Sequence, residues 1–247
     1  MTDEYVYTGE EGADEFRVLD TLVEDEDMTP EQAVQQILSL TSAPKTYNRQ
    51  LGDHCYFTAR GVLDAASRTT PDQQSKLVKF VHELRTKTVT DPGTGQPLEH
   101  DGQVIWTGLP TFGYSFADDL HSMPAPNHTP QQAERWENSM SFFAQLDAST
   151  EEPKLDFTHT WALTYIICAL DNEPTANHEL RVRLACLWYI YDAEKIWSKV
   201  PDTKDFTLTN WQRWKQRLEE LQTSFPDLGT QSMIDEALSE IERVEKT

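Results

Sequence analysis

Apolar residues recur along this chain at intervals of three and four, a spacing that predicts one amphipathic helix after another. Phe16, Val18, Leu19, Leu22 and Val23 mark a short helix from about Asp14. Ala33, Ile37, Leu38 and Leu40 mark a second, entered through Thr29-Pro30. A threonine hydroxyl can accept a free amide at a helix start, and proline fits the first helical position, where the amide has no partner. A third helix covers roughly 50–68, with Leu51, Cys55, Val62, Leu63 and Ala66 inward. A fourth starts at Thr70-Pro71 and runs to about Thr86 through Leu77, Val78, Phe80, Val81 and Leu84. Thr129-Pro130 opens another, to about Leu146, with the stripe Trp136, Met140, Phe143 and Leu146. Asp156 is placed to cap a helix in the stretch FTHTWALTYIICALD, residues 157–171, which ends near Pro174. The pattern resumes from about Ala176 to Lys199, again from a Thr209 cap through Trp211, Trp214, Leu218 and Leu221, and last from about Gln231 to Val244.

One region breaks the rhythm. Thr90-Asp-Pro-Gly-Thr-Gly-Gln-Pro97 is turn chemistry. Val104-Ile-Trp106 suits a short extended piece, and a short helix is expected at about Ser115 to His121. The fold class is therefore all-α, some ten helices with an irregular or extended insert near residues 89–110. Residues 1–12 read as an acidic, disordered lead-in and 13–247 as a single helical domain, with two smaller domains as the alternative division.

Composition sharpens this. The 247 residues hold 10 glycines and 7 tryptophans, a balance that suits packed helices. Net charge is −21, and residues 1–31 carry twelve acidic side chains against Arg17 alone. Such a surface is repelled by phosphate backbones and anionic membranes, so no nucleic-acid or membrane partner is expected. Cys55, Cys168 and Cys186 form no close pair, and the chain starts without an apolar signal segment. A reducing, cytoplasmic location follows as the expectation.

Several pieces in order resemble an uncharacterised fungal family, a domain of unknown function. They include Phe16-Arg-Val-Leu-Asp-Thr-Leu with Thr29-Pro-Glu-Gln-Ala, Ile105-Trp-Thr-Gly-Leu-Pro-Thr-Phe-Gly113 and Arg135-Trp-Glu-Asn-Ser-Met-Ser-Phe-Phe-Ala-Gln-Leu146. Trp161-Ala-Leu-Thr-Tyr-Ile-Ile-Cys-Ala-Leu170, Ala185-Cys-Leu-Trp-Tyr-Ile-Tyr191 and Trp211-Gln-Arg-Trp-Lys215 complete the set. Asn138-Ser-Met-Ser-Phe142 departs from the Asn–Leu–x–Ala–Phe expected there. The resemblance implies a mostly helical cytosolic protein, and it brings no catalytic residue with it.

Candidate chemistry is sparse. The stretch 157–171 is apolar most of the way round, which suits the centre of a bundle. It also offers a candidate pocket: Trp136, Trp161, Tyr165 and Trp188 as walls, with His159 at the mouth. Trp211 and Trp214, with Arg213, Lys215 and Arg217, could form an aromatic–basic strip or a helix docked by its two indoles. Asp118, Asp119, His121 and His128 match no metal-ligand spacing, and nucleotide-loop and nucleophile-elbow motifs are absent. His54-Cys55 are adjacent, so on a helix they diverge and make a poor Cys–His pair. No metal or cofactor is expected. Two functions from different classes follow. One is a non-catalytic scaffold or adaptor with a protein partner, possible also as a homodimer. The other is an enzyme or binder of a small apolar metabolite, terpenoid or polyketide, in the inter-helix pocket.

Overall fold

The computed structural model describes residues 12–43, 51–113, 127–200 and 204–247. They gather into two compact units, one within residues 1–121 and one within 122–247. The architecture is all-α among these residues, with two short paired strands. The expected lead-in (but for Gly12), the helix at 115–121 and the acidic pair Asp118 and Asp119 lie outside the described residues.

The first unit holds α1 (Ala13–Glu24), α2 (Pro30–Thr41), α3 (Leu51–Arg68) and α4 (Ser75–Arg85). α1 packs against α2, α3 and α4, and α2 also packs on α4. The apolar stripes meet in a dry core of Leu19, Leu22, Ile37, Val62, Phe80 and Leu84. Thr29 caps α2 through a reciprocal box: its hydroxyl accepts from the Gln32 amide at 3.3 Å, and the Gln32 side chain accepts from the Thr29 amide at 2.8 Å. Thr70 behaves differently. Its hydroxyl donates to Asp72 at 2.5 Å, and Pro71–Gln73 form a 3₁₀ turn before α4. The short acid two residues on captures the hydroxyl that would otherwise cap.

The expected insert is a hairpin, β1 (Glu99–His100) paired antiparallel with β2 (Gln103–Val104). Its exit is strained: Trp106, Leu109 and Thr111 have φ of 65°, 44° and 71°, a region costing about 1–2 kcal/mol for each residue with a Cβ. Burial of Trp106, Leu109 and Phe112 offsets that cost. Gly108 is required here, because an added Cβ would stand 2.6 Å from the Val104 carbonyl oxygen.

The second unit holds α5 (Pro130–Ala148), α6 (Leu163–Leu170), α7 (His178–Ser198), α8 (Leu208–Leu221) and α9 (Leu228–Glu245). α7 is its axis, packing against α5, α6 and α9. Leu180, Leu184, Ala185, Trp188, Tyr189 and Ile196 of α7 are all buried. The helix surrounded on most sides is thus α7, whereas α6 keeps Thr164 exposed and Leu163 and Ile167 half-buried. Arg183 pins three helices together, with the Nε–Nη2 edge of its guanidinium donating to both carboxylate oxygens of Glu137 of α5 at 2.6 and 2.7 Å and Nη1 donating to Thr230 of α9 at 3.2 Å.

Two local departures alter the expected outline. Residues Thr158–Ala162 form a π-helical turn leading into α6. Inside α7, Asp192 leaves helical geometry at φ −134° and ψ 17°, so the helix is interrupted in its second half. The cap of α8 is Thr207, whose hydroxyl accepts from the Asn210 amide at 3.1 Å, and the expected Thr209 lies inside the helix.

Candidate functional site

The C-terminal half of α7 carries two ionisable side chains into the interior of the second unit, Asp192 and Lys195. Lys195 meets the C-terminus of α5, where backbone carbonyls lack helical partners. Its ammonium donates to the Asp147 carbonyl at 2.9 Å, to the Thr150 carbonyl at 2.7 Å and to the Asp147 carboxylate. An ammonium has three N–H donors, and these three bonds use them all. Asp147 is wholly buried, and its other oxygen accepts from the Phe157 amide at 2.8 Å and the Thr158 hydroxyl at 3.3 Å. The buried pair therefore also ties down the start of the π-helical turn. Desolvation lifts the Asp147 carboxyl above its ordinary range, while the bonds from Lys195 and Phe157 pull it back. At the turn itself Asp156 accepts from the Thr158 amide at 3.2 Å and from Lys199 at 2.7 Å.

Asp192 is the exception in this network. The residue is 1% exposed, and neither carboxylate oxygen has a hydrogen-bond partner. Burial pushes its carboxyl up to about 9, with nearby Asp147 adding to the rise and Lys195 opposing it. At neutral pH Asp192 is accordingly a neutral acid. It lines a groove of about 340 Å³ with Tyr191, Lys195 and Ser198 of α7, Glu151 after α5, and Glu240 and Arg243 of α9. Two open depressions are larger, about 540 Å³ beside Asp171 and Arg213 and about 570 Å³ along α1 and α2. Volume alone therefore does not select the site. Strongly perturbed titratable groups in clefts mark functional positions, and the smaller groove holds such a group.

The first unit has its own buried polar line. His54 faces Glu15 through Nδ1 at 2.5 Å and Thr41 through Nε2 at 3.0 Å. The order carboxylate, imidazole, hydroxyl is that of a hydrolytic triad. The donor count argues against that use. Thr41 gives its one hydrogen to the Ile37 carbonyl at 2.8 Å and accepts from the Trp106 indole at 3.2 Å. It then accepts from His54 as well, which leaves the hydroxyl saturated and without access to substrate. This line locks α1, α2, α3 and the Trp106 loop together. Cys55 beside it is buried, and burial alone drives its thiol up to about 12, so it is no nucleophile.

The family described as a protein of unknown function, DUF3632, matches residues 60–218. The chain belongs to that family. No match was found among curated proteins or among solved structures. Within the DUF3632 match lie Asp147, Asp156, Asp192 and Lys195, while Glu240 and Arg243 of the groove fall beyond it.

The pocket residues read from the DUF3632 chain's sequence differ in burial. Tyr165 and Trp188 are fully buried, Trp136 and Trp161 half-buried, and His159 exposed with its ring edge-on to Phe206 at 5.3 Å. Trp188 donates its indole N–H to the Met140 sulfur at 3.0 Å. None of the five lines the Asp192 groove. Trp211 and Trp214 are docked inward, donating to Glu245 at 2.9 Å and Asp171 at 3.0 Å. Among the described residues no group of three or more His, Cys, Asp or Glu could hold a metal ion.

Asp192 and Lys195 were not singled out by the sequence reasoning. The available signal was an acid and a lysine three residues apart, Asp192 and Lys195, next to the apolar run Leu184 to Tyr191. Charged residues seldom sit on a buried face without a reason.

Proposed function

We propose that residues 122–247 form a binding domain for a small polar molecule, seated in the groove at Asp192. The observation that carries this reading is a buried carboxyl with two unbonded oxygens at a groove wall where the helix is interrupted. An unsatisfied buried polar group costs about 1–3 kcal/mol, and a ligand that bonds to it recovers that energy. The groove volume of about 340 Å³ lies at the lower end of ligand sites. Its lining favours a polar guest over the terpenoid or polyketide expected from aromatic content.

Binding is favoured over turnover. The one hydroxyl of a serine in the lining, Ser198, donates to the Lys195 carbonyl at 2.7 Å, and no histidine stands beside it to act as base. A scaffold or adaptor would offer a contiguous apolar surface. Among the described residues the large hydrophobics that stand exposed are Leu208 and Leu228. No helix among them is long and apolar enough to cross a membrane. Three free cysteines support a cytoplasmic setting for the protein.

A thermal-shift screen of the full chain against neutral, anionic and cationic small molecules tests the reading. Stabilisation that is saturable, and weakened in Asp192→Asn while the unliganded variant stays folded, is the expected result. Hits that stabilise Asp192→Asn equally, or a broad panel with no hits, would overturn it.

A further inference from the structure

The charges around the groove specify the guest more narrowly, an argument that rests on the binding reading above. Six lining side chains are carboxylic or cationic: Glu151, Asp192, Glu194 and Glu240 are acidic, Lys195 and Arg243 basic. Both cations are already committed. Lys195 spends its three donors on Asp147 and Thr150. Arg243 donates to Glu194 at 2.7 Å and to Glu240 at 2.7 Å. The acidity without a bonded cation is Asp192 in the wall and the exposed Glu151 at the rim. An anionic guest would meet net negative charge, because the single charge of Arg243 is already flanked by two carboxylates.

We infer that the groove binds a small organic amine as its primary ammonium, with Asp192 as the anchoring carboxylate. An ammonium supplies the compact set of donors that Lys195 cannot spare, and two of them match the two unbonded oxygens of Asp192. A metal ion is a poorer guest, since no cluster of three ligating side chains exists among the described residues. The oxygens of Asp192 expose almost no surface, so binding includes a rotation of that carboxyl toward the groove.

Proton balance makes the inference testable. The unliganded carboxyl is protonated near neutrality, and an ammonium guest needs the carboxylate. Association therefore converts Asp192–COOH and R–NH₃⁺ into the pair Asp192–COO⁻···⁺H₃N–R and releases one proton to buffer. The groups acting on Asp192 are Asp147 of α5, Asp156 before the π-helical turn, Lys195 of α7 and Lys199 just past its end, with Glu151, Glu194, Glu240 and Arg243 at the rim. The two lysines and two aspartates are tied to one another, so the net proton change belongs to Asp192.

Titration calorimetry of the full chain with n-butylamine, in phosphate and in MOPS at about 0.15 M salt, reads both affinity and protons. That salt screens non-specific attraction to the acidic surface. Expected results are saturable binding, one proton released per site, and affinity rising about tenfold per pH unit between pH 6 and 8. Asp192→Asn should weaken binding at least tenfold, and butan-1-ol, the neutral isostere, should not compete. Binding without proton release in the wild-type chain overturns the inference whether or not the variant folds. Asp192-dependent binding of butan-1-ol equal to that of butylamine also overturns it, while leaving the small-molecule site intact. If butylamine, butan-1-ol and the wider panel all fail to bind, both readings fall together.

Discussion

At the scale of the residue, the second unit turns on how one lysine distributes its hydrogen bonds. Lys195 bonds to one carboxylate oxygen and the carbonyl of Asp147 and makes no bond to Asp192. Removing it strands a buried carboxylate: Lys195→Met should cost about 3–5 kcal/mol, read by chemical denaturation. Removing Asp192 has the opposite sign. Its carboxyl stays neutral in the fold at about 9, whereas the unfolded chain ionises it near 3.8. Each unit of that gap opposes folding by about 1.4 kcal/mol once the pH exceeds the unfolded value. Asp192→Asn should therefore stabilise the protein by a few kcal/mol at pH 8 and by little at pH 4. Destabilisation at pH 8 would show that the carboxyl has partners the geometry does not reveal.

At the scale of the element, the three Thr-Pro starts separate what local sequence decides from what it does not. Thr29 and Thr129 form reciprocal capping boxes with Gln32 and Gln132, as their spacing suggests. Thr70 has Gln73 at the same offset, yet its hydroxyl goes to Asp72. Thr129→Ala should cost about 1 kcal/mol, and Thr70→Ala much less, both by thermal unfolding. The helices themselves were legible because an apolar stripe with caps is a local signal, and most boundaries fall within a few residues of expectation. The π-helical turn at Thr158–Ala162 was not, because the residue that bonds its start, Asp147, lies on a different helix. Nor was the interruption at Asp192, which has no proline or glycine beside it to announce it. Ring content, the basis of the aromatic pocket, marks a core such as that around Trp188 as readily as a cavity. The groove depends on donor bookkeeping between α5 and α7, information that no single stretch of sequence contains.

At the scale of the whole molecule, these groups combine into one pH profile. Asp192 and Asp147 have raised carboxyls through burial, so the stability they permit is greatest below about pH 4 and declines as the pH climbs toward the folded values. Asp156, held down by Lys199 and Thr158 against its own desolvation, works in the other sense, as do Asp227 and Glu31 at helix starts. Their contributions are present above the unfolded carboxylate range and vanish as the pH falls through it. A net charge of −21 adds self-repulsion that eases as carboxylates protonate. The two limbs place maximum stability at about pH 5, on the acid side of neutrality. Thermal unfolding across pH 3–10 checks this, and Asp192→Asn should flatten the alkaline limb while leaving the acid limb in place. A maximum at or above pH 8 would mean that Asp192 is ionised in the folded chain, and the neutral acid at the groove wall, with the proton it yields to a bound amine, would go with it.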